Sequence, residues 1–222
     1  MLIVIDGLDG SGKSTQFEML QKRLDKKNIP FVPISFPDYA EPSSALVKMY
    51  LSGELSTTAE GVNPYASSSF YAVDRYASYK KYWEKDYKAK KLIIASRYVS
   101  SNMIHQTSKL PHDEWDNFIE WICDYEYGKL ELPEPDLVIF LDMPVEISQS
   151  LLTHRYNGNE KKKDIHEADV EYLKHCRETA MYTAEKRNWT VIPCGADGKP
   201  FSEEYIANLI DRAVEEIISN DI

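Results

Sequence analysis

Residues 7–14 read Gly-Leu-Asp-Gly-Ser-Gly-Lys-Ser, and this stretch restricts the fold more than any other part of the chain. It fits G-x-x-x-x-G-K-S, follows the apolar run Leu2–Ile5 and leads into a helical pattern at Thr15–Lys27. A strand, a glycine loop and a helix in that order make a P-loop. Gly10 and Gly12 let the backbone turn so that successive N–H groups point inward at phosphate oxygens, and the helix N-terminus adds partial positive charge. Gly7, Leu8, Asp9, Ser11 and Thr15 complete the stretch expected to surround the phosphates of ATP. Lys13 is expected to reach the β- and γ-phosphates, and the Ser14 hydroxyl to ligate Mg²⁺. ATP and Mg²⁺ are therefore the expected cofactors.

Further along, short apolar runs alternate with helical patterns. Leu2–Ile5, Phe31–Ile34, Leu92–Ala95, Leu137–Leu141 and Thr190–Ile192 each read as a strand buried on both faces. Helical patterning fills Pro42–Lys90, Glu114–Tyr127, Pro144–Leu152, Ala168–Arg187 and Ser202–Ile218 between and after them. Strands separated by helices imply right-handed βαβ units. The expected fold is α/β, a three-layer P-loop NTPase fold with a five-stranded parallel sheet and helices on both faces. At 222 residues, one domain spanning 1–222 suffices. The segment at about 153–165 carries Arg155, Asn157-Gly158-Asn159 and Lys161-Lys162-Lys163, and reads as a basic loop, either a solvated turn or a lid.

Composition narrows the partners. A net charge of −10 argues against general nucleic-acid binding, while leaving room for the local cation cluster a nucleotide needs. No apolar run approaches the ~20 residues of a membrane span, and the opening run is too short for a signal peptide, so a cytoplasmic, membrane-free protein is expected. Cys123, Cys176 and Cys194 lack metal-ligand spacing and read as unpaired thiols.

The ligand crevice of an open parallel sheet lies beyond the carboxyl ends of its strands. Phe36-Pro37-Asp38-Tyr39 follows the second strand there, and Ser96-Arg97-Tyr98 the third. Arg97 can clamp a phosphate in bidentate fashion, or close a salt bridge at a strand end. Arg75 lies one helical turn after Tyr71, so both can line one pocket, although Tyr71 also suits a core. Asn102 and Gln106 share the same spacing and can pair with a base edge, or serve as ordinary polar residues.

With these residues in view, the chain resembles the thymidylate kinases of the P-loop nucleoside monophosphate kinase group. The likeness rests on I-D-G-L-D-G-S-G-K-S-T at the start, Phe36-Pro37, F-Y-A-V-D-R at 70–75, R-Y-V-S-S-N at 97–102 and P-D-L-V-I-F-L-D-M-P at 135–144. It implies transfer of the ATP γ-phosphate to dTMP, giving dTDP for dTTP biosynthesis, by a homodimer. It further implies that Asp9 meets the acceptor, Tyr71 stacks on thymine, and Arg75 and Arg97 hold the acceptor phosphate. Gln106 or Asn102 would read the base, Pro37 would be cis, and Arg155 would be a catalytic lid arginine beside Lys13, Arg97 and Asp9. Three positions depart from the family pattern: Ser96 replaces an aspartate, Tyr39 stands near an expected arginine, and His105 replaces a tyrosine. A homodimer would draw on apolar faces at Met103–Ile104 or 115–122.

Two other functions fit parts of this pattern. A deoxynucleoside kinase, which needs a carboxylate base after the second strand, would use Asp38; a monophosphate kinase for another base is its near relative. A P-loop regulatory ATPase would need an acid at a strand end, for which Asp142 is the candidate.

Overall fold

The computed structural model describes residues 1–155 and 169–220. Strands β1 (Leu2–Gly7), β2 (Phe31–Ser35), β3 (Leu92–Ser96), β4 (Leu137–Asp142) and β5 (Thr190–Pro193) form one parallel sheet in the order β2-β3-β1-β4-β5. A small antiparallel hairpin, β6 (Gly195–Ala196) and β7 (Lys199–Pro200), follows. The helices are α1 (Lys13–Lys26), α2 (Ala45–Leu51), α3 (Pro64–Ser78), α4 (Glu84–Lys88) and α5 (Val99–His105), then α6 (Trp115–Cys123), α7 (Val145–Arg155), α8 (Val170–Lys186) and α9 (Glu203–Asn220).

Successive side chains of a strand point to opposite faces, and β1 divides accordingly. Leu2 and Val4 pack with Ile93, Ala95, Trp83, Tyr98 and Phe118 on one side. Ile3 and Ile5 pack with Phe17, Leu20 and Leu24 of α1 and with Ile206, Ile210 and Val214 of α9 on the other. Helices therefore cover both faces, as a parallel sheet requires.

Two sequence expectations need correction. Burial on both faces holds for β1, β3 and β4, but β2 and β5 are the sheet edges and are only partly covered. Pro33, which has no N–H to give to a ladder, sits in an edge strand for that reason. The apolar faces expected to serve a homodimer are also spent inside the chain: Met103, Ile104, Phe118, Ile119 and Ile122 are all buried in its own core. The three cysteines are free, as read from their spacing.

The register aligns Ile5 with Ser96 and Gly7 with Leu141, so the carboxyl ends of β1, β3 and β4 open on one edge of the sheet.

Candidate active site

The loop between β1 and α1 is shaped by its glycines. Gly10 and Gly12 have φ of 77° and 83°, and a Cβ on Gly10 would meet the Ser148 carbonyl oxygen at 2.7 Å. Gly12 is also the N-cap of α1 and contributes no side-chain cap, and no acid sits in the first turn. The first N–H groups of α1 thus open toward the cleft as an anion site. Lys13 Nζ donates to the Leu8 carbonyl at 2.8 Å, which folds it back along the loop. Ser14 is exposed at the mouth of the cleft. Among the described residues no cluster of three acidic, His or Cys side chains could hold a metal alone. The exposed Ser14 hydroxyl fits Mg²⁺, which binds through few protein oxygens together with water and substrate phosphates.

A cleft of about 360 Å³ runs from Asp9–Ser14 past Ser96–Tyr98 to Tyr71, Arg75, Asn102 and Gln106. Phe36, Pro37 and Tyr39 close its β2 side, and the Phe36–Pro37 bond is cis. The sequence candidates described by the structure are thus gathered around one opening, except that Gly7, Leu8 and Thr15 stand behind its lining. Arg155 ends α7, and its side chain, like the rest of the expected lid to 165, lies outside the described residues.

Arg97 follows β3 with a left-handed backbone, φ 63°, which turns it away from the strand direction and toward the glycine loop. Its NH2 donates to Asp9 Oδ1, and its NH1 lies 3.2 Å from Ser101 Oγ and 3.3 Å from His105 Nε2. Burial works against the charge, but Asp9 and then Asp6 outweigh it and hold the guanidinium firmly protonated. Because Arg97 can only donate, His105 Nε2 is the acceptor in that contact, and its Nδ1 lies 3.5 Å from Cys176 Sγ.

Arg75 is placed differently. Asn63 caps α3 through bonds from the Tyr65 and Ala66 amides, and Pro64 opens the helix. One turn separates Tyr71 from Arg75 on its inner face. Arg75 donates to both carboxylate oxygens of Glu126, at 2.7 and 2.6 Å, inside the protein. Burial lowers the guanidinium's proton affinity, yet the Glu126 carboxylate more than restores it. Arg75 therefore meets the cleft as half of a neutral pair, whereas Arg97 faces the glycine loop.

Glu126 also orients an amide. Asn102 Nδ2 donates to Glu126 Oε1 at 2.8 Å and to the Ser68 carbonyl at 3.1 Å, so both its protons point away from the cleft and its Oδ1 is left as an acceptor. Gln106 is turned the other way: its Oε1 accepts from Ser67 Oγ at 2.7 Å, leaving its NH₂ as a donor.

Sequence reasoning passed over Asp6, Glu126, Ser67 and Lys109. Asp6 is wholly buried and accepts from Ser100, Ser101 and the Gly7 amide. It stands one residue beyond the register partner of Ser96, so β1 brings a carboxylate next to the position where the family pattern has one on β3. The signal for Glu126 was an acid on the apolar stripe of Ile119 and Ile122. Asp38 and Asp142, the carboxylates that other functions would use, stand outside the cleft. Asp38 Oδ1 accepts from the Ala40 amide, and Asp142 is held by Arg177 at 2.6 and 2.8 Å.

The strand order, the glycine loop and the cation-lined cleft define a P-loop kinase. The thymidylate kinase family model matches residues 5–198, and the chain belongs to that family. It is similar to a probable thymidylate kinase of Pyrobaculum aerophilum, at 27% identity over 96% of this chain and 97% of the relative. It is also similar to the thymidylate kinase of Mycobacterium tuberculosis, at 27% identity over 77% of this chain and 79% of the relative. The solved structure of Candida albicans thymidylate kinase shares the fold, with a TM-score of 0.68 and 20% identity over 97% of this chain and 91% of that one. Among the described residues no helix is long and apolar enough to cross a membrane.

Proposed function

We propose that this chain transfers the γ-phosphoryl group of ATP to the phosphate of dTMP, giving dTDP. The observation that carries this reading is the single cleft with Lys13 and Ser14 at one end, Tyr71, Asn102 and Gln106 at the other, and Arg97 between.

The acceptor phosphate is largely dianionic near pH 7, since its second pKa is about 6, so no strong base is required. The work of the protein is positioning and charge stabilisation. The P-loop amides and Lys13 hold the donor phosphates, and Ser14 would hold Mg²⁺, which neutralises charge on the donor phosphates. Arg97 clamps the acceptor phosphate after exchanging its bond to Asp9 for one to substrate. Asp9 then faces the acceptor and links the two halves of the site. Tyr71 supplies a ring for the base to stack on, and Phe36 and Pro37 line the same cleft. Arg75 lines the cleft while its Nε and NH2 stay on Glu126 and its NH1 donates to the Tyr98 carbonyl. Arg155 would close over the transferring group and help exclude water that would otherwise hydrolyse ATP.

The amides suit the base. Thymine offers a ring N–H beside a carbonyl; Asn102 Oδ1 would accept from the first and Gln106 NH₂ would donate to the second. Cytosine reverses that pattern. We also propose a cytoplasmic homodimer, testable by light scattering, where a mass near 25.6 kDa contradicts it and twice that supports it.

With γ-labelled ATP and dTMP, the label should appear in the β-phosphate of dTDP. Label found only in inorganic phosphate would refute the proposal.

A further inference from the structure

Lys109 ends the short turn Thr107–Lys109 that follows α5. Its Nζ donates to Tyr50 Oη at 2.8 Å, the Val62 carbonyl at 3.3 Å and Ser67 Oγ at 3.2 Å, and lies 4.8 Å from the Tyr50 ring centroid. All three acceptors are neutral. Burial pushes the ammonium down to about 7 against the pull of Cys176 and Glu60, and among the described residues no hydrogen-bonded carboxylate offsets that cost. Such a departure from ordinary core construction is expected where a residue serves a site.

Ser67 joins this cation to the cleft. Its hydroxyl has one proton and three acceptors near it: Gln106 Oε1 at 2.7 Å, the Asn63 carbonyl at 3.0 Å and the Pro64 carbonyl at 3.3 Å. The Lys109 N–H given to Ser67 Oγ occupies the hydroxyl oxygen and favours the arrangement in which Ser67 gives its proton to the Gln106 oxygen. Without that donor, Ser67 can give its proton to Asn63 and accept from Gln106 Nε2. The amide would then turn over and present its carbonyl to the cleft.

We propose that Lys109 is a positioning residue for the acceptor base, acting through Ser67 to keep the Gln106 NH₂ group facing the cleft. The inference rests on the acceptor reading above and adds the device that selects a keto base over an amino base. A C4 carbonyl, as in thymine, accepts from that NH₂; the exocyclic amine of cytosine clashes with it donor to donor.

The test measures kcat/KM for dTMP and dCMP in wild type, Lys109→Met, Ser67→Ala and the double variant. Where dCMP turns over too slowly, its inhibition constant against dTMP serves instead. The dTMP preference should fall about 3- to 10-fold in each single variant, mostly through KM, as expected for one neutral hydrogen bond. The double variant should fall no further, because both changes remove one lock. An unchanged preference in the single variants overturns the proposal, as do two losses that add. If Lys109→Met does not fold, Ser67→Ala decides alone, since it removes only a hydroxyl. A wild type inactive on dTMP refutes the acceptor reading and this inference with it; an active wild type with an insensitive preference refutes the inference alone.

Discussion

Arg97 NH2 donates to Asp9 Oδ1, joining the end of β3 to the second variable position of the glycine loop. Asp9 also lies 3.9 Å from Lys13 Nζ. One carboxylate thus stands between the cation assigned to the donor and the cation assigned to the acceptor.

If Arg97 is the acceptor clamp, Arg97→Ala should lower turnover on the order of a hundredfold or more, the scale seen when a charge-stabilising donor is removed. ATP affinity, measured by calorimetry, should stay largely intact. A near-normal rate would remove Arg97 from the catalytic set.

Arg155 is assigned to the transition state rather than the ground state. Arg155→Ala should cut kcat by about tenfold or more while the KM for dTMP changes far less, a pattern expected for a contact made during transfer. Steady-state kinetics read both constants, and a change confined to KM would make Arg155 a binding residue only.

Glu126 balances a buried arginine. Glu126→Ala leaves the Arg75 guanidinium uncompensated and should cost about 3–5 kcal/mol in denaturant unfolding. Replacing both partners, Arg75→Met with Glu126→Leu, should cost less than Glu126→Ala alone. A loss below about 1 kcal/mol in the single variant would show that the pair does not bear on stability.

Much of this arrangement was legible in the sequence because it depends on local pattern. The glycine loop, the five strands and the residues that follow their carboxyl ends all announce themselves within a few positions. Phe36, Tyr71, Arg75, Arg97, Asn102 and Gln106 consequently fall around one cleft. What stayed hidden depends on residues distant in sequence. Which strands are edges follows from sheet order, so Phe31–Ile34 looked more buried than it is. Glu126 meets Arg75 across 51 positions and Ser67 meets Gln106 across 39, and no periodicity reports such pairs. Met103 and Ile104 looked available for a partner because a short apolar helix gives no sign of which elements cover it.

Lys109 also carries a pH signature. Its folded value, about 7, lies below the ordinary 10.5, so the unfolded chain binds more protons between those limits. Folded stability from this group therefore rises as pH increases from about 7 toward 10.5, with the penalty fully present below 7. Tyr50 accepts from the same lysine, and Glu60 and Cys176 act on it through charge. Stability of wild type relative to Lys109→Met, from denaturant unfolding at each pH, should climb across that window. A flat difference would contradict the burial cost assigned to it.

The most direct test is an acceptor panel of dTMP, dUMP, dCMP, dGMP and thymidine, each with MgATP, compared by kcat/KM. The account predicts dTMP first, dUMP behind it by about tenfold, the lower end of what one methyl group in an apolar pocket allows, and dCMP well below both. Faster phosphorylation of thymidine, or rapid ATP hydrolysis with no acceptor, would contradict it.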